Sequence, residues 1–181
     1  MMEQKVIMAG FGGQGIMAIG RLLAYAGMLE DKNVTWMPSY GPEMRGGTAN
    51  CAVVVSEEEV GSPLISKDGT AAIVMNLPSM IKFEQELIPD GKLIVNKSLI
   101  DIEPTRNDLD VYYIPANELA LELGNSKVAN MIMLGAYLEV TKAVDIESVL
   151  KAFVKVFGEN KSDLLPLNKE ALIKGAEAAK K

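Results

Sequence analysis

Short apolar runs alternate along the chain with longer segments in which apolar residues recur at helical spacing. Most of the runs are continuously apolar, which is typical of strands covered on both faces of a sheet. Strands are predicted at residues 5–9, 34–37, 49–56, 71–75, 93–95 and 111–114. Helices are predicted at residues 15–29, 79–87, 118–123, 127–142, 146–157 and 169–180. Asn117, Asp145 and Asn168 directly precede three of these helices and are predicted N-caps.

This alternation predicts an α/β fold, specifically a Rossmann-like three-layer sandwich with a mainly parallel sheet. Residues 38–47, PSYGPEMRGG, leave no room for a helix between the second and third strands, so a helical crossover cannot connect them. The chain beyond residue 116 is almost entirely helical and predicts a C-terminal helical layer over one face of the sheet. The length of 181 residues favours a single domain, residues 1–181.

Two of the predicted helices are unusually apolar. In the first, only Arg21 and the hydroxyl of Tyr25 are strongly polar, and the segment 128–140 is similarly apolar on most sides. Such helices are either buried inside the domain or face another subunit. The 11 methionines favour a subunit contact, because methionine suits adaptable interfaces.

A glycine-rich segment, GFGGQG at residues 10–15, joins the first predicted strand to the first predicted helix. Glycines let a ligand approach the backbone, and a helix N-terminus offers free N–H groups to a phosphate. The side-chain amide of Gln14 adds a neutral donor and acceptor. The candidate phosphate-binding residues are Gly10, Gly12, Gly13, Gln14 and Gly15. The alternative is a tight turn that binds nothing.

A nicotinamide dinucleotide site requires a second feature, which is an acidic side chain at the end of the second strand. That strand instead ends in Met37 and Pro38, and Glu30 and Asp31 fall in the turn before it. The glycine pattern therefore lacks the carboxylate that would hold a ribose.

The loop after the second strand concentrates polar and glycine residues. Its candidate binding residues are Ser39, Tyr40, Gly41, Glu43, Arg45, Gly46 and Gly47, with Pro42 among them. In open α/β sheets, ligands bind at loops beyond the carboxyl ends of strands. Arg45 is suited to grip a phosphate through two hydrogen bonds, and an ion pair with Glu43 is the alternative. Cys51 follows in an apolar strand and is expected to pack as a small apolar residue.

The composition excludes several classes of function. A formal charge of −6, from 18 basic and 24 acidic residues, disfavours a surface that binds nucleic acid. The absence of histidine removes Ser-His-Asp and Cys-His catalysis, and one cysteine cannot form an internal disulfide or hold an iron–sulfur cluster. We therefore expect no catalytic residue and no metal ligand here. No apolar run reaches the ~18 residues that span a bilayer, so we expect a soluble, cytoplasmic protein without membrane contact.

Two motifs together resemble a known family. The segment GFGGQGIMAIGRLLAYAG, followed by WMPSYGPEMRGGTANCAVVVSEEEVGSPLI, resembles the gamma subunit of the 2-oxoacid:ferredoxin oxidoreductases. The sequence RGGTANC is most similar to the 2-oxoglutarate or 2-oxoisovalerate (branched-chain) type, since the pyruvate type more often has Arg-Arg-Gly-Ala at this position. The resemblance extends from Val6 through the helix near Leu134.

The resemblance implies a subunit of a thiamine-diphosphate enzyme that converts a 2-oxoacid, coenzyme A and oxidised ferredoxin to an acyl-CoA, carbon dioxide and reduced ferredoxin. It implies that this chain contacts coenzyme A, whereas thiamine diphosphate, magnesium and iron–sulfur clusters belong to partner subunits. The implied partners are alpha and beta subunits and a ferredoxin-like delta subunit, with ferredoxin reached indirectly. The small subunit of indolepyruvate oxidoreductase shares this domain and is an alternative. A stand-alone dinucleotide-binding oxidoreductase or regulator, and a purely architectural subunit, are alternatives of other classes.

We expect the purified isolated chain to be colourless, free of metal and inactive toward any 2-oxoacid. The reason is that the sequence has no histidine and no set of cysteines that could hold a cluster. A visible absorption spectrum, metal analysis and a 2-oxoacid oxidation assay check this. Stoichiometric iron or a flavin-like absorbance in the pure chain would contradict it.

Overall fold

The computed structural model describes residues 2–39 and 48–180. The strands are β1 (Glu3–Phe11), β2 (Asn33–Ser39), β3 (Thr48–Ser56), β4 (Gly69–Val74), β5 (Leu87–Asn96) and β6 (Asp110–Ile114). The α-helices are α1 (Ile16–Leu29), α2 (Leu77–Phe83), α3 (Ala116–Glu122), α4 (Ala129–Thr141), α5 (Ile146–Phe157) and α6 (Leu165–Ala178). Short 3-10 helices occupy Glu84–Glu86, Ser126–Val128 and Glu159–Leu164. Every predicted strand and helix is present, with shifts at several ends.

The strands form one sheet in the order β2-β3-β1-β4-β5-β6. β1, β4, β5 and β6 pair in parallel, which confirms the mainly parallel sheet. β3 is antiparallel to both of its neighbours, β1 and β2. Since β2 and β3 pair as antiparallel neighbours, their connection needs no helical crossover, as the sequence indicated.

Alternate residues of the central strands pack on opposite faces of the sheet. Val6 and Met8 belong to the larger apolar cluster, which contains residues of α1, α3, α4, α5 and α6. Ile7 and Ala9 belong to the smaller cluster on the other face, which contains residues of α2. Helices therefore cover both faces and give a three-layer α/β sandwich, and the helices of the C-terminal part all lie on one side.

Helix α1 lies unusually close to the hairpin of β2 and β3. A Cβ atom at Gly20 would come within 2.5 Å of the Cys51 Sγ and 3.0 Å of the Trp36 Nε1. A Cβ at Gly27 would lie 2.6 Å from a Val34 methyl carbon. Cys51 is fully buried at this contact, as expected for a packing role, and burial raises the pKa of its thiol to about 12. The apolar sequence of α1 is therefore mostly explained by packing on the sheet.

Helix α4 is buried along most of its length. Every residue from Met131 to Leu138 is buried, between the sheet and α6. A Cβ at Gly135 would collide with the backbone of Leu172, and one at Gly175 would collide with the Ile132 carbonyl. The hypothesis that this apolar segment faces another subunit is therefore wrong, because α6 covers it. In the described part of the chain, no helix is both long and apolar enough to cross a membrane.

The exposed apolar side chains of α1 are confined to its last turns. Tyr25, Met28 and Leu29 are 39%, 56% and 39% exposed. These three residues are what remains of the surface that the sequence suggested for subunit contact.

The predicted helix starts are correct at one position and wrong at two. Asp145 immediately precedes α5, although its side chain makes no capping hydrogen bond. Asn117 and Asn168 lie inside α3 and α6 instead of before them. The Asn117 Oδ1 accepts a hydrogen bond from Asn96 at 2.9 Å, and Asn168 donates to the Leu164 carbonyl at 2.9 Å. Both side chains serve contacts other than a cap, which their sequence position did not reveal.

We expect Gly175→Ala to reduce the free energy of unfolding by about 1–3 kcal/mol, because the added methyl group overpacks the contact with the Ile132 carbonyl. Alanine would otherwise favour a helix by up to about 1 kcal/mol, so the sign of the change tests the contact. Gly61→Ala is the control, because a Cβ there meets nothing within 4 Å. Urea unfolding followed by circular dichroism measures both variants. A Gly175→Ala protein as stable as the control would contradict the close packing.

Candidate functional site

The glycine turn leaves the end of β1 and enters α1 directly. Gly13 and Gly15 have φ angles of +87° and +74°, which lie in the left-handed region that favours glycine. Among the described residues, none lies within 4 Å of a Cβ at Gly13, so they leave the backbone there open to a ligand. The first N–H groups of an α-helix lack intrahelical acceptors, and the N-cap residue of α1, Gly15, has no side chain that could accept from them. These features together form a site suited to an anion.

Gln14 fixes the shape of the turn. Its Oε1 accepts a hydrogen bond from the Phe11 N–H at 2.6 Å, and its Nε2 donates to the Met75 carbonyl at 3.4 Å. Gly10 is required beside it, since a Cβ would lie 2.5 Å from the Gln14 Oε1 and 2.9 Å from the Met75 Cβ. The side chain ties the turn to the end of β4. The Gln14 amide thus donates and accepts within the protein, and its predicted role toward a ligand stays a prediction.

Asn130, at the start of α4, holds the other end of the turn. Its Nδ2 donates to the Gly15 carbonyl at 3.1 Å, and a Cβ at Gly15 would collide with the Asn130 amide. Sequence reasoning missed this residue. The available signal was one amide side chain within the apolar stretch VANMIML of residues 128–134.

The sheet register brings the described residues on either side of the second motif's loop to the end of the sheet where the turn lies. Phe11, the last residue of β1, pairs with Thr48, the first residue of β3. Ser39, the last residue of β2, pairs with Asn50 of β3 and is exposed. Ser39 and Thr48, which flank the segment 40–47, therefore lie at the end of the sheet where the glycine turn lies. The predicted site residues Tyr40, Gly41, Glu43, Arg45, Gly46 and Gly47, together with Pro42, lie outside the described residues.

Asparagines follow the next two parallel strands at the same edge. Asn76, after β4, accepts a hydrogen bond from the Ser79 N–H at 2.9 Å and caps α2. Asn96, at the end of β5, donates to Asn117 and accepts from the Ser98 N–H at 3.2 Å. Both are buried and serve the local structure. Within residues 2–39 and 48–180, no three His, Cys, Asp or Glu side chains are grouped so that they could hold a metal ion.

The geometry disfavours a nicotinamide dinucleotide at the glycine turn. A dinucleotide fold places a parallel strand with an acidic end beside β1, and here the antiparallel β3 occupies that place. Glu30, one of the two nearby acids, accepts hydrogen bonds from Lys32 at 2.8 Å and from the Asp145 N–H at 2.7 Å. Burial alone would raise the pKa of Glu30, but bonds from Lys32, Asp145 and Ser148 outweigh it, and the pKa is lowered. This carboxylate therefore links α1 to the start of α5.

Sequence comparison shows similarity along almost the whole chain. Residues 5–178 match the family model described as "Pyruvate ferredoxin/flavodoxin oxidoreductase". The ketoisovalerate oxidoreductase subunit VorA of Methanothermobacter marburgensis is 36% identical over 180 residues, which cover 99% of this chain and 37% of VorA. The 2-oxoglutarate synthase subunit KorC of Methanocaldococcus jannaschii is 33% identical over 184 residues, which cover 99% of this chain and 95% of KorC. The chain thus spans much less than half of VorA and nearly all of KorC.

Structure comparison gives the same result. The gamma subunit of a keto/oxoacid ferredoxin oxidoreductase from Geobacter sulfurreducens has a TM-score of 0.81 at 26% identity, covering 97% of this chain and 98% of that one. A 2-oxoglutarate:ferredoxin oxidoreductase from Magnetococcus marinus, solved with 2-oxoglutarate, coenzyme A and succinyl-CoA, has a TM-score of 0.86 at 23% identity. The aligned region covers 98% of this chain and 31% of the Magnetococcus chain. At 23% identity, this similarity shows only that the two share a fold. These similarities confirm the resemblance that the two motifs indicated.

Proposed function

The chain belongs to the pyruvate ferredoxin/flavodoxin oxidoreductase family, and from this premise we propose that it is a gamma-type subunit, folded as a single domain, that forms the coenzyme A side of the active site. The complete enzyme would convert a 2-oxoacid, coenzyme A and oxidised ferredoxin to an acyl-CoA, carbon dioxide and reduced ferredoxin. The activity of that complex is itself part of the proposal, because the chain spans only 37% of VorA.

The observation that carries this proposal is that Ser39 and Thr48, the described residues on either side of the segment 40–47, lie at the end of the sheet where the glycine turn lies. Coenzyme A carries a pyrophosphate and a separate ribose phosphate, so a site for it needs more than one group that binds anions. The open backbone at Gly13 and the N-terminus of α1 supply one such group. In this proposal Arg45, which lies in sequence between Ser39 and Thr48, supplies another.

The proposed division of labour follows from the side chains that the chain contains. Its residues bind and orient the phosphates, and none is assigned a proton transfer or a covalent step, since the sequence contains no histidine. Thiamine diphosphate with magnesium supplies the decarboxylation chemistry, and iron–sulfur clusters carry the electrons. We place both in partner subunits: alpha and beta subunits, and a ferredoxin-like delta subunit that passes electrons to ferredoxin.

The substrate is proposed only as a 2-oxoacid. The related proteins include a ketoisovalerate oxidoreductase subunit and a 2-oxoglutarate synthase subunit, which act on different 2-oxoacids according to their names. The coenzyme A assignment rests on the geometry of the anion site and on the motif resemblance. The Magnetococcus enzyme agrees with it at the level of a shared fold.

In the reconstituted complex, Gly13→Asp should raise the KM for coenzyme A about tenfold or more, because a carboxylate would stand where a phosphate binds. Aspartate tolerates the left-handed backbone better than most residues, which limits the strain at φ +87°. The matched control is Gly124→Asp, since Gly124 has φ +79° and also has open space around its Cβ position. Steady-state kinetics with varied coenzyme A measures both variants.

The decarboxylation half-reaction, which does not need coenzyme A, should stay near wild type in both variants. Equal KM values for coenzyme A in the Gly13 and Gly124 variants would argue against phosphate binding at the turn. Loss of both half-reactions in the Gly13 variant alone would indicate that the turn holds the assembly together.

Arg45→Ala should weaken coenzyme A by about 1.5–3 kcal/mol, the range for a hydrogen bond to a charged group, which is roughly ten- to 150-fold in affinity. Arg45→Lys keeps the charge but loses the two-pronged geometry, so it should recover only part of the affinity. The KM for coenzyme A and the rate of decarboxylation without coenzyme A are both measured. If both fall together in Arg45→Ala, Arg45 serves a subunit contact, and its role in coenzyme A binding should be abandoned.

A further inference from the structure

A recess between four helical elements lies on the side of α1 that faces away from β2. We call it the helical cleft, and its volume is about 250 Å³. It is lined by Ala18, Leu22, Asn125, Lys127, Val128, Asn130, Met131, Phe153, Phe157, Lys161, Leu164, Leu167 and Asn168. These residues come from α1, the start of α4 with the short helix before it, the end of α5, and the start of α6 with the short helix before it.

The interior of the helical cleft is apolar and partly aromatic. Leu22 and Met131 are buried at 1% and 3% exposure. Phe153 and Phe157 form a tilted pair, with ring centroids 4.8 Å apart and an angle of 54° between the planes. Aromatic rings favour such inclined contacts with further rings. The volume suits a ligand with a single ring, since pockets for larger, drug-sized ligands begin at about 300 Å³.

The charged lining of the helical cleft is entirely basic. Lys127 and Lys161 contribute to it, and none of its described lining residues is acidic. This sign is opposite to that of the whole chain, which has 24 acidic and 18 basic residues. Glu159 and Asp163 flank Lys161 in sequence but do not line the cleft. An anion is therefore the favoured charged partner.

Amide side chains stabilise the polar part of the lining. The Asn125 Oδ1 accepts a hydrogen bond from the Lys127 N–H at 3.0 Å, which fixes the backbone at that lysine. Asn168 is 6% exposed, and its Nδ2 donates to the Leu164 carbonyl. The residue that the sequence suggested as a helix cap thus lines the cleft.

We propose that the helical cleft binds a small aryl carboxylate, with the ring against Phe153 and Phe157 and the carboxylate at Lys127 and Lys161. The apolar interior accounts for the ring, the basic lining accounts for the charge, and the volume limits the size. The site is distinct from the phosphate site proposed at the glycine turn and does not depend on it. Ala18 and Asn130 lie at the boundary between the two, since Asn130 also holds the Gly15 carbonyl.

The test uses the full chain and 3-phenylpropanoate as the probe, with the neutral 3-phenylpropan-1-ol as its charge control. Isothermal titration calorimetry at low salt should give about fivefold tighter binding of the acid than of the alcohol. Lys127→Gln combined with Lys161→Gln should remove this preference and leave binding of the alcohol unchanged. Lys82→Gln combined with Lys155→Gln, two exposed lysines outside the cleft, should leave it intact.

A blocking variant tests the location. Ala18→Phe fills the space beside Leu22 and should abolish binding of both probes, with circular dichroism verifying that the variant is folded. Equal affinity for acid and alcohol, no effect of the two cleft lysines, or undiminished binding in Ala18→Phe would each overturn the proposal. No binding to the wild-type chain at millimolar probe would overturn it as well.

A competition experiment separates this site from the phosphate site. Saturating coenzyme A should leave the affinity for 3-phenylpropanoate unchanged. Stoichiometric displacement would assign the cleft to the coenzyme A site and overturn the proposal of a separate one. The Gly13→Asp kinetics test the coenzyme A proposal independently, so failure of one does not count as failure of the other.

Discussion

The antiparallel pairing of β1 with β3 is the constraint on which the candidate site depends. It runs without interruption from Glu3 opposite Ser56 to Phe11 opposite Thr48. Because β3 begins where β1 ends and pairs there with the end of β2, Ser39 and Thr48 lie at the end of the sheet where the glycine turn lies. The same pairing removes the place where a dinucleotide fold would present its ribose-binding acid. The antiparallel direction of β3 thus disfavours a nicotinamide dinucleotide and is compatible with the phosphate site that we propose.

Glycines allow several helices to pack closely against their neighbours, and this packing is the second constraint on the structure. Gly20 and Gly27 bring α1 onto the hairpin of β2 and β3, and Gly135 and Gly175 bring α4 and α6 together. Since the turn leads into the N-terminus of α1, where we propose that an anion binds, and α4 carries Asn130, these contacts also fix the turn from both sides. The packing of the core and the shape of the site are therefore set by the same helices.

The strands and the fold class were predictable because buried strands are marked by continuous apolar runs, which depend little on neighbours far along the chain. The direction of β3 was not predictable in this way, since a run of apolar residues does not indicate whether a strand pairs in parallel or antiparallel. Asn117 and Asn168 were wrongly placed as caps because each side chain has another hydrogen-bond partner. The burial of α4 depends on α6, which lies beyond α5 in the chain, and periodicity cannot show which apolar helix will be covered.

The candidate site was predictable in part for similar reasons. The glycine turn is a local motif, so its position at the start of α1 followed from sequence alone. The use of the Gln14 amide within the protein depends on Met75, and the role of Asn130 depends on Gly15, which are both distant in sequence. The helical cleft is formed by four helical regions that are separate in sequence, so no single stretch of sequence predicts it.

The environment of Cys51 determines how readily this cysteine reacts with other thiols and disulfides. A pKa of about 12 keeps its sulfur protonated at neutral pH, and its complete burial denies access to reagents. Disulfide exchange requires a thiolate that can reach and attack a sulfur of an existing disulfide. If coenzyme A is the ligand, its terminal sulfhydryl meets no competing cysteine of this chain. In that case the packing of α1 on the sheet would keep Cys51 from forming mixed disulfides with the ligand.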